Sequence, residues 1–348
     1  MAASVPADEL VETRGEARAL GAFVVGAAFE RAGRFCAFAL GDGSLRIAAS
    51  EPGGEWRSIV AHDGAVLAIA PDVAAGSFLS GGDDGAIRRS KVDGEKLEIA
   101  RFGTRWVEHV ASHPGEKAGG LLAAAVGRQV RLFDAAGKPL KTLEHPSTAT
   151  GIAFDRKGKR IGACHYNGAS LWFVAARIDS PRKLEWKGSH TAIAIHPEGD
   201  AVVTAMQENA LHGWRLSDGQ HMRMSGYPGK TESLCFTRRG KWLATSGADA
   251  IVLWPFFGDG PMGKPPIELA GGDGVGCTRV ACHPEHETVA GGFADGLVVL
   301  ADIESGRVLP VAAPGRGTVS ALAWSPDGTR LALGTETGFA AIVDFSRR

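Results

Sequence analysis

The sequence lacks an excess of charge of either sign. Its 348 residues hold 38 Lys and Arg against 39 Asp and Glu, a formal net charge of −1. Without a basic excess there is little to release counterions from a phosphate backbone, so nucleic acid is not the default partner. Cysteine is scarce: Cys36, Cys164, Cys235, Cys277 and Cys282 are odd in number and scattered. A disulfide framework is not expected in so long a chain, and a reducing, cytoplasmic setting fits. No stretch approaches the roughly 18 apolar residues of a membrane-spanning helix, so no membrane partner is expected. The opening residues, MAASVPADELVETRGEARAL, have no basic start followed by an apolar run and do not read as a signal peptide.

What is present is glycine, apolar residues and repetition. There are 48 glycines, which suits many tight turns, and 44% hydrophobic against 22% charged residues, enough to bury a sizeable core. One pattern recurs along the chain. An apolar alternating strand is followed by a turn, a second apolar strand ending in small residues, an Asp-Gly-like turn and a third apolar strand. The clearest copy is TVSALAWSPDGTRLALGTETGFAAIVDF, Thr318 to Phe345. Aligning the copies places Phe29, Pro71, Ser112, Phe154, Ile195, Phe236, Cys282 and Trp324 at the end of the first strand. Successive members are 41 or 42 residues apart, except for one step of 46 that holds the insertion FFGDGPMGKPPIE. Asp42-Gly43, Asp84-Gly85, Asn167-Gly168 and Asp295-Gly296 supply the positive φ of two-residue hairpins. Alternating strands bury one face each, and no single unit can bury both faces alone, so the units must stack.

In these residues the chain resembles the WD40-repeat family. WSPDG at Trp324 to Gly328, SGGDDGAIR at Ser80 to Arg88, and VRLFD at Val130 to Asp134 are similar to that family's turns and to the strand that ends in Trp-Asp. A period of about 40–45 residues with four strands per unit is the sequence signature of such a blade. The resemblance implies an all-β, eight-bladed WD40-like β-propeller with four-stranded antiparallel blades, forming one domain over residues 1–348. Its units begin near Phe23, Ala65, Trp106, Thr148, Ser189, Lys230, Gly276 and Thr318. Residues 1–22, about Leu10 to Leu20 above all, are expected to close the ring as the outer strand of the last blade and so to cover an edge. Many blades of the family carry a hydrogen-bonded His, Ser/Thr, Asp and Trp. Here no unit has all four. The second offers His62, Ser80 and Asp84 with Ser90 in place of Trp. The fourth offers His145, Asn167 and Trp172 with Ala163 at the hydroxyl position. The sixth offers Thr245, Asp249 and Trp254 with Tyr227 in place of His.

Candidate chemistry is thin. Gly229-Lys230-Thr231 lacks the upstream glycine and the following helix of a phosphate loop, and reads as a turn. His113, His196 and His283 each precede a proline at one repeat position, so they belong to turns on three different units rather than to one metal. Cys277 to His286 has zinc-like spacing. Cys277 and Cys282 are five apart on a predicted strand, however, which puts them on opposite faces, and Cys282 is expected as a buried anchor. There is no nucleophile elbow, paired acid and base, or dinucleotide fingerprint. No metal site, cofactor or catalytic residue is therefore assigned.

The reading is a non-catalytic scaffold that docks one or more partner proteins. A monomer is the expected state. The resemblance implies docking on the face where the central strands begin. There Phe23 and Trp106 are large and apolar, Arg105 adjoins Trp106, and Lys230, Tyr227 and Arg279 are further candidates. Alternatives are a zinc- or copper-handling protein using Cys and His on one rim, and a propeller enzyme or small-ligand binder using the central channel.

Overall fold

A computed structural model describes residues 10–51, 53–115, 119–272 and 274–346. Four-stranded antiparallel sheets repeat along the chain. In one, Val24–Phe29, Phe35–Leu40, Ser44–Ala49 and Trp56–Val60 pair in sequence order. Burial follows position in the sheet. Second strands such as Ser77–Gly82 and Leu121–Val126 are enclosed on both faces and read as unbroken apolar or small-residue runs. Outer strands such as Lys96–Arg101 remain half exposed. The core lies between adjacent sheets. Phe38, Leu40 and Val24 from the first sheet pack with Ala332, Ala340 and Ile342 from the last, so the two ends of the sequence share one apolar cluster.

The innermost strands Val24–Phe29, Val66–Pro71, His109–His113 and Gly151–Phe154, the second half of Arg182–Ile195, then Leu234–Phe236, Cys277–Cys282 and Val319–Trp324 follow one another around an axis. Each contacts the next, and the last contacts the first. Hydroxyls tie these strands together. Ser320 Oγ donates to the Val24 carbonyl at 2.6 Å, Thr278 Oγ1 to Val319 at 2.7 Å and Ser233 Oγ to Val280 at 3.1 Å.

The sheets number seven among the described residues, which corrects the expected eight separate four-stranded blades. Six sheets have four strands. The seventh has six, because the units expected at Thr148 and Ser189 share it. Arg160–Phe173 doubles back on itself at Asn167 and Gly168, and its two ends meet where Val174 N donates to Lys159 O at 2.9 Å. Arg182–Ile195 then runs without a break from the outer edge of one half to the centre of the next. It pairs first with Ala169 to Leu171 and then with Val202 to Met206. Elsewhere a loop interrupts this passage; here Lys187-Gly188-Ser189 stays extended enough to continue the strand, with a register shift on each side.

The N-terminal segment is also shorter as a strand than expected. Leu10–Arg14 is a helix whose Val11 is buried, and only Gly15–Ala19 is a strand, pairing antiparallel with Phe339–Asp344. Residues 1–9 of the expected closing segment lie outside the described residues.

Candidate functional site

The two ends of the ring differ in chemistry. At one end the central strands finish in turns. His113, His196 and His283 sit there on three separate sheets. Each Nε2–H donates to a carbonyl in the turn of the following unit: Arg156 O at 3.1 Å, Gly240 O at 3.0 Å and Gly328 O at 3.0 Å. In each case Nδ1 accepts a backbone N–H two residues on. Nε2 joins one unit to the next, and Nδ1 braces the histidine's own turn. The described residues contain no group of three or more His, Cys, Asp or Glu able to hold a metal.

At the other end the residues leading into the central strands are hydrogen-bonded to the turns between second and third strands. Gly41 N donates to Phe23 O at 2.9 Å, Asp83 N to Ala65 O at 3.2 Å and Val107 N to Gly82 O at 3.1 Å. Such turns force the backbone: Gly43 has φ +87°, and a Cβ there would sit 2.1 Å from Gly64 O. This end therefore shows the solvent a ring of small residues with a few large ones. Trp106 is 57% exposed, Phe23 43%, and Arg105 and Lys230 are exposed beside them. Arg105 makes only a long 3.4 Å bond to Phe102 O, which leaves most of its guanidinium to solvent. Thr231, following Lys230, is buried, its Oγ1 donating to Ser246 O at 3.1 Å in a turn without a helix. Lys230 borders a cavity of about 450 Å³ with Glu232, Asp249 and Glu336.

Of the expected docking residues, Tyr227 is turned inward and Arg279 is only partly exposed. Tyr227 is only 9% exposed. Trp254 Nε1–H donates to its hydroxyl oxygen at 2.7 Å, and the hydroxyl lies 2.6 Å from Thr245 Oγ1. Burial pushes its phenol up to about 12. It fills the histidine role of that unit, which explains why a phenol stands there. Arg279 is held at 2.8 Å to Ser320 O, 2.8 Å to Glu232 Oε2 and 2.9 Å to Thr278 O, so its guanidinium links neighbouring strands. The strand alternation assumed for Cys277 and Cys282 is also broken, by a register shift between Cys277 and Arg279. Cys277 is buried, whereas Cys282 is half-buried.

The same end carries a feature the sequence reading missed. Tyr166, beside the Asn167-Gly168 turn, is 58% exposed, and its N–H donates to Ser147 Oγ at 2.9 Å. It borders a cleft of about 850 Å³ that His145, His165, Lys183, Trp186 and Lys187 also line. Trp172 Nε1–H donates to His145 Nε2 at 3.1 Å, which makes His145 the Nδ1–H tautomer, with the backbone of Arg128 and Leu143 beside the ring. Burial, and then the neighbouring His165, hold the imidazole down at about 4. An aromatic residue at a hairpin tip was the available signal. The cleft beside it depends on strands that only folding brings together.

Comparison with known proteins agrees with this geometry. No family model matches the chain. It is similar to Autophagy-related protein 16 of Arabidopsis thaliana, 20% identical over 295 residues that cover 81% of this chain and 56% of that protein. It is similar to Telomerase protein component 1 of Mus musculus, 24% identical over 213 residues, 59% of this chain and 8% of that one. It is also similar to the small ribosomal subunit protein RACK1z of Oryza sativa subsp. japonica, 24% identical over 118 residues, 33% of this chain and 35% of that one. The matches thus span little more than half of any of these relatives. Among solved structures, the crystal structure of the computationally designed Ika8 protein superposes with a TM-score of 0.75 at 17% identity, covering 93% of this chain and 96% of that one, and supports the fold alone. The relatives are WD40-repeat proteins, and a His62–Ser80–Asp84 set stands bonded in the Val66–Arg101 sheet. With the repeat register and the ring of central strands, the chain folds as a β-propeller and is similar to WD40-repeat proteins.

Proposed function

We propose that this protein is a non-catalytic interaction scaffold that docks a partner protein on the end of the ring bearing Phe23, Arg105, Trp106 and Lys230. The observation that carries the reading is Trp106, 57% exposed beside an exposed Arg105 on a face of small residues. A large indole left in water on a folded surface costs solvation, and burying it against a partner recovers that free energy with few rotors to fix. Tyr166 and its cleft extend the same face with a third exposed aromatic. WD40 relatives are typically interaction scaffolds, which supports the class of function without naming a partner. No described helix is long and apolar enough to cross a membrane.

The test is affinity purification from the native cell with crosslinking, comparing wild type with Trp106→Ala and with Arg105→Ala. Both side chains are exposed, so both variants should unfold as wild type does. A partner recovered by wild type should bind Trp106→Ala at least about 30-fold more weakly, as for a hot-spot residue. A partner set that both variants retain unchanged, or no partner even with crosslinker, overturns the proposal.

A further inference from the structure

Cys235 and Cys282 belong to different sheets but to neighbouring central strands, Leu234–Phe236 and Cys277–Cys282. Their sulfurs are 2.9 Å apart. The backbone holds them there. Cys282 N–H donates to Cys235 Sγ at 3.1 Å, and Cys282 Sγ–H lies 3.4 Å from Cys235 O. Two residues earlier the same strands are clamped again, with Val280 N–H donating to Ser233 Oγ at 3.1 Å and Ser233 Oγ to Val280 O at 3.1 Å. The sulfurs therefore face each other across a seam whose register is fixed on both sides. Closing to the ~2.05 Å of a disulfide requires about 0.9 Å of sulfur movement, within reach of small side-chain rotations.

No other pair of thiols is in hydrogen-bond contact, although Cys277 is near enough to Cys235 to feel its charge. Cys36, Cys164 and Cys277 are each buried, and burial pushes all three thiols up, Cys164 and Cys277 to about 12. Cys235 is partly exposed, so a small reagent reaches it before the others, and the Cys282 thiol is enclosed behind it.

We propose that Cys235 and Cys282 form a reversible disulfide across the seam between two sheets, made by exchange with a low-molecular-weight disulfide. The Cys235 thiolate attacks one sulfur of the reagent, forms a mixed disulfide and releases one small thiolate. Cys282 then gives up its proton and attacks the Cys235 sulfur, and the second small thiol leaves. Two protein thiols are oxidised to one disulfide, and one small disulfide is reduced to two thiols. The order follows from the environment: the adjoining Cys235 thiol, and then burial, hold the Cys282 thiol well above the usual range, so it resolves rather than initiates. The bond closes a chain segment spanning 47 positions, which restricts the unfolded chain and fastens two sheets of the ring. This inference stands independently of partner docking.

The experiment incubates the full chain with oxidised glutathione, then blocks remaining thiols with an alkylating agent and maps peptides by mass spectrometry. The expected result is loss of two of the five native thiols, a linked peptide pair containing Cys235 and Cys282, reversal by dithiothreitol, and a melting temperature a few degrees higher in the oxidised form. Cys282→Ala should stop at a glutathione adduct on Cys235, and Cys36→Ala should leave the crosslink intact. Should Cys282→Ala fail to fold, the wild-type peptide map and its reduction still decide the matter. Five reactive thiols after equilibration, a persistent adduct on Cys235 of wild type, or a bond involving any other cysteine would overturn it.

Discussion

The Val66–Arg101 sheet and the first half of the six-stranded sheet solve the same problem with different residues. In the former, His62 Nδ1 is 2.9 Å from Asp84 Oδ1 and Nε2 is 2.8 Å from Ser80 Oγ. Asp84 also accepts from the N–H groups of Asp63 and Ala86 and pairs with Arg88 at 3.1 Å. Despite an opposing desolvation effect, these bonds hold its carboxyl at about 2. His62, Ser80 and Asp84 are all paired, while Ser90, in the Trp position, keeps its Oγ without a partner. In the latter, Ala163 offers no hydroxyl and Asn167 spends its Oδ1 on Gly188 N at 3.2 Å. Trp172 bonds His145 directly, and His145 lines the cleft beside Tyr166. The unit with a carboxylate at its turn is tied by a bonded His–Ser–Asp set, and the unit with Asn167 there borders an open cleft.

The comparison breaks first at Asp84. Asp84→Ala leaves the buried His62 Nδ1 without its partner and removes one of Arg88's acceptors, its bonds to Ala61 O and Glu98 remaining, and urea denaturation should show a loss of about 3 kcal/mol. Asn167→Gly should cost under about 0.5 kcal/mol, since φ at Asn167 is already +67°. Equal losses would mean that the two turns are not different in kind.

Acid sharpens it next. His145 is depressed to about 4 from 6.5, so the unfolded chain takes up a proton before the native one does. Its contribution is complete above about pH 6.5 and is lost as pH falls toward 4, on the order of 2 kcal/mol. Measured between pH 7.5 and 4.5, His145→Gln should show a shallower fall in stability than wild type; an unchanged slope would contradict the buried neutral imidazole.

A smaller effect is expected from restoring the missing hydroxyl. Ala163→Ser places an oxygen where the Trp172 to His145 bond already passes, and should cost about 1 kcal/mol by denaturation. A gain would show that the open unit has room for the full set. Smallest of all, Tyr166→Ala should change stability by under about 0.5 kcal/mol, because its ring is mostly in water.

Much of the ring was legible because its signals are local. Asp42-Gly43 and Asp84-Gly85 demand their turns wherever they occur, and the apolar alternation of Val319–Trp324 needs no distant partner to be recognised. The candidate face was partly legible. Phe23, Arg105, Trp106 and Lys230 are exposed as their lead-in positions imply, whereas Tyr227 turns inward and the partly exposed Arg279 is tied to partners on other segments. The union of two units into one sheet was not legible, since it rests on a few residues around Gly188 staying extended. Nor was the thiol pair, since Cys235 and Cys282 are 47 positions apart.

By itself the sequence determined the period, the turns and the alternation of buried and exposed strands, because each depends on backbone conformation and polarity within a few residues. The tertiary structure alone decided how many sheets those strands share, which aromatic residues stay in water, and which cysteines meet. Those outcomes depend on how neighbouring units pack against one another, and contacts between residues a full repeat apart leave no mark in a local pattern.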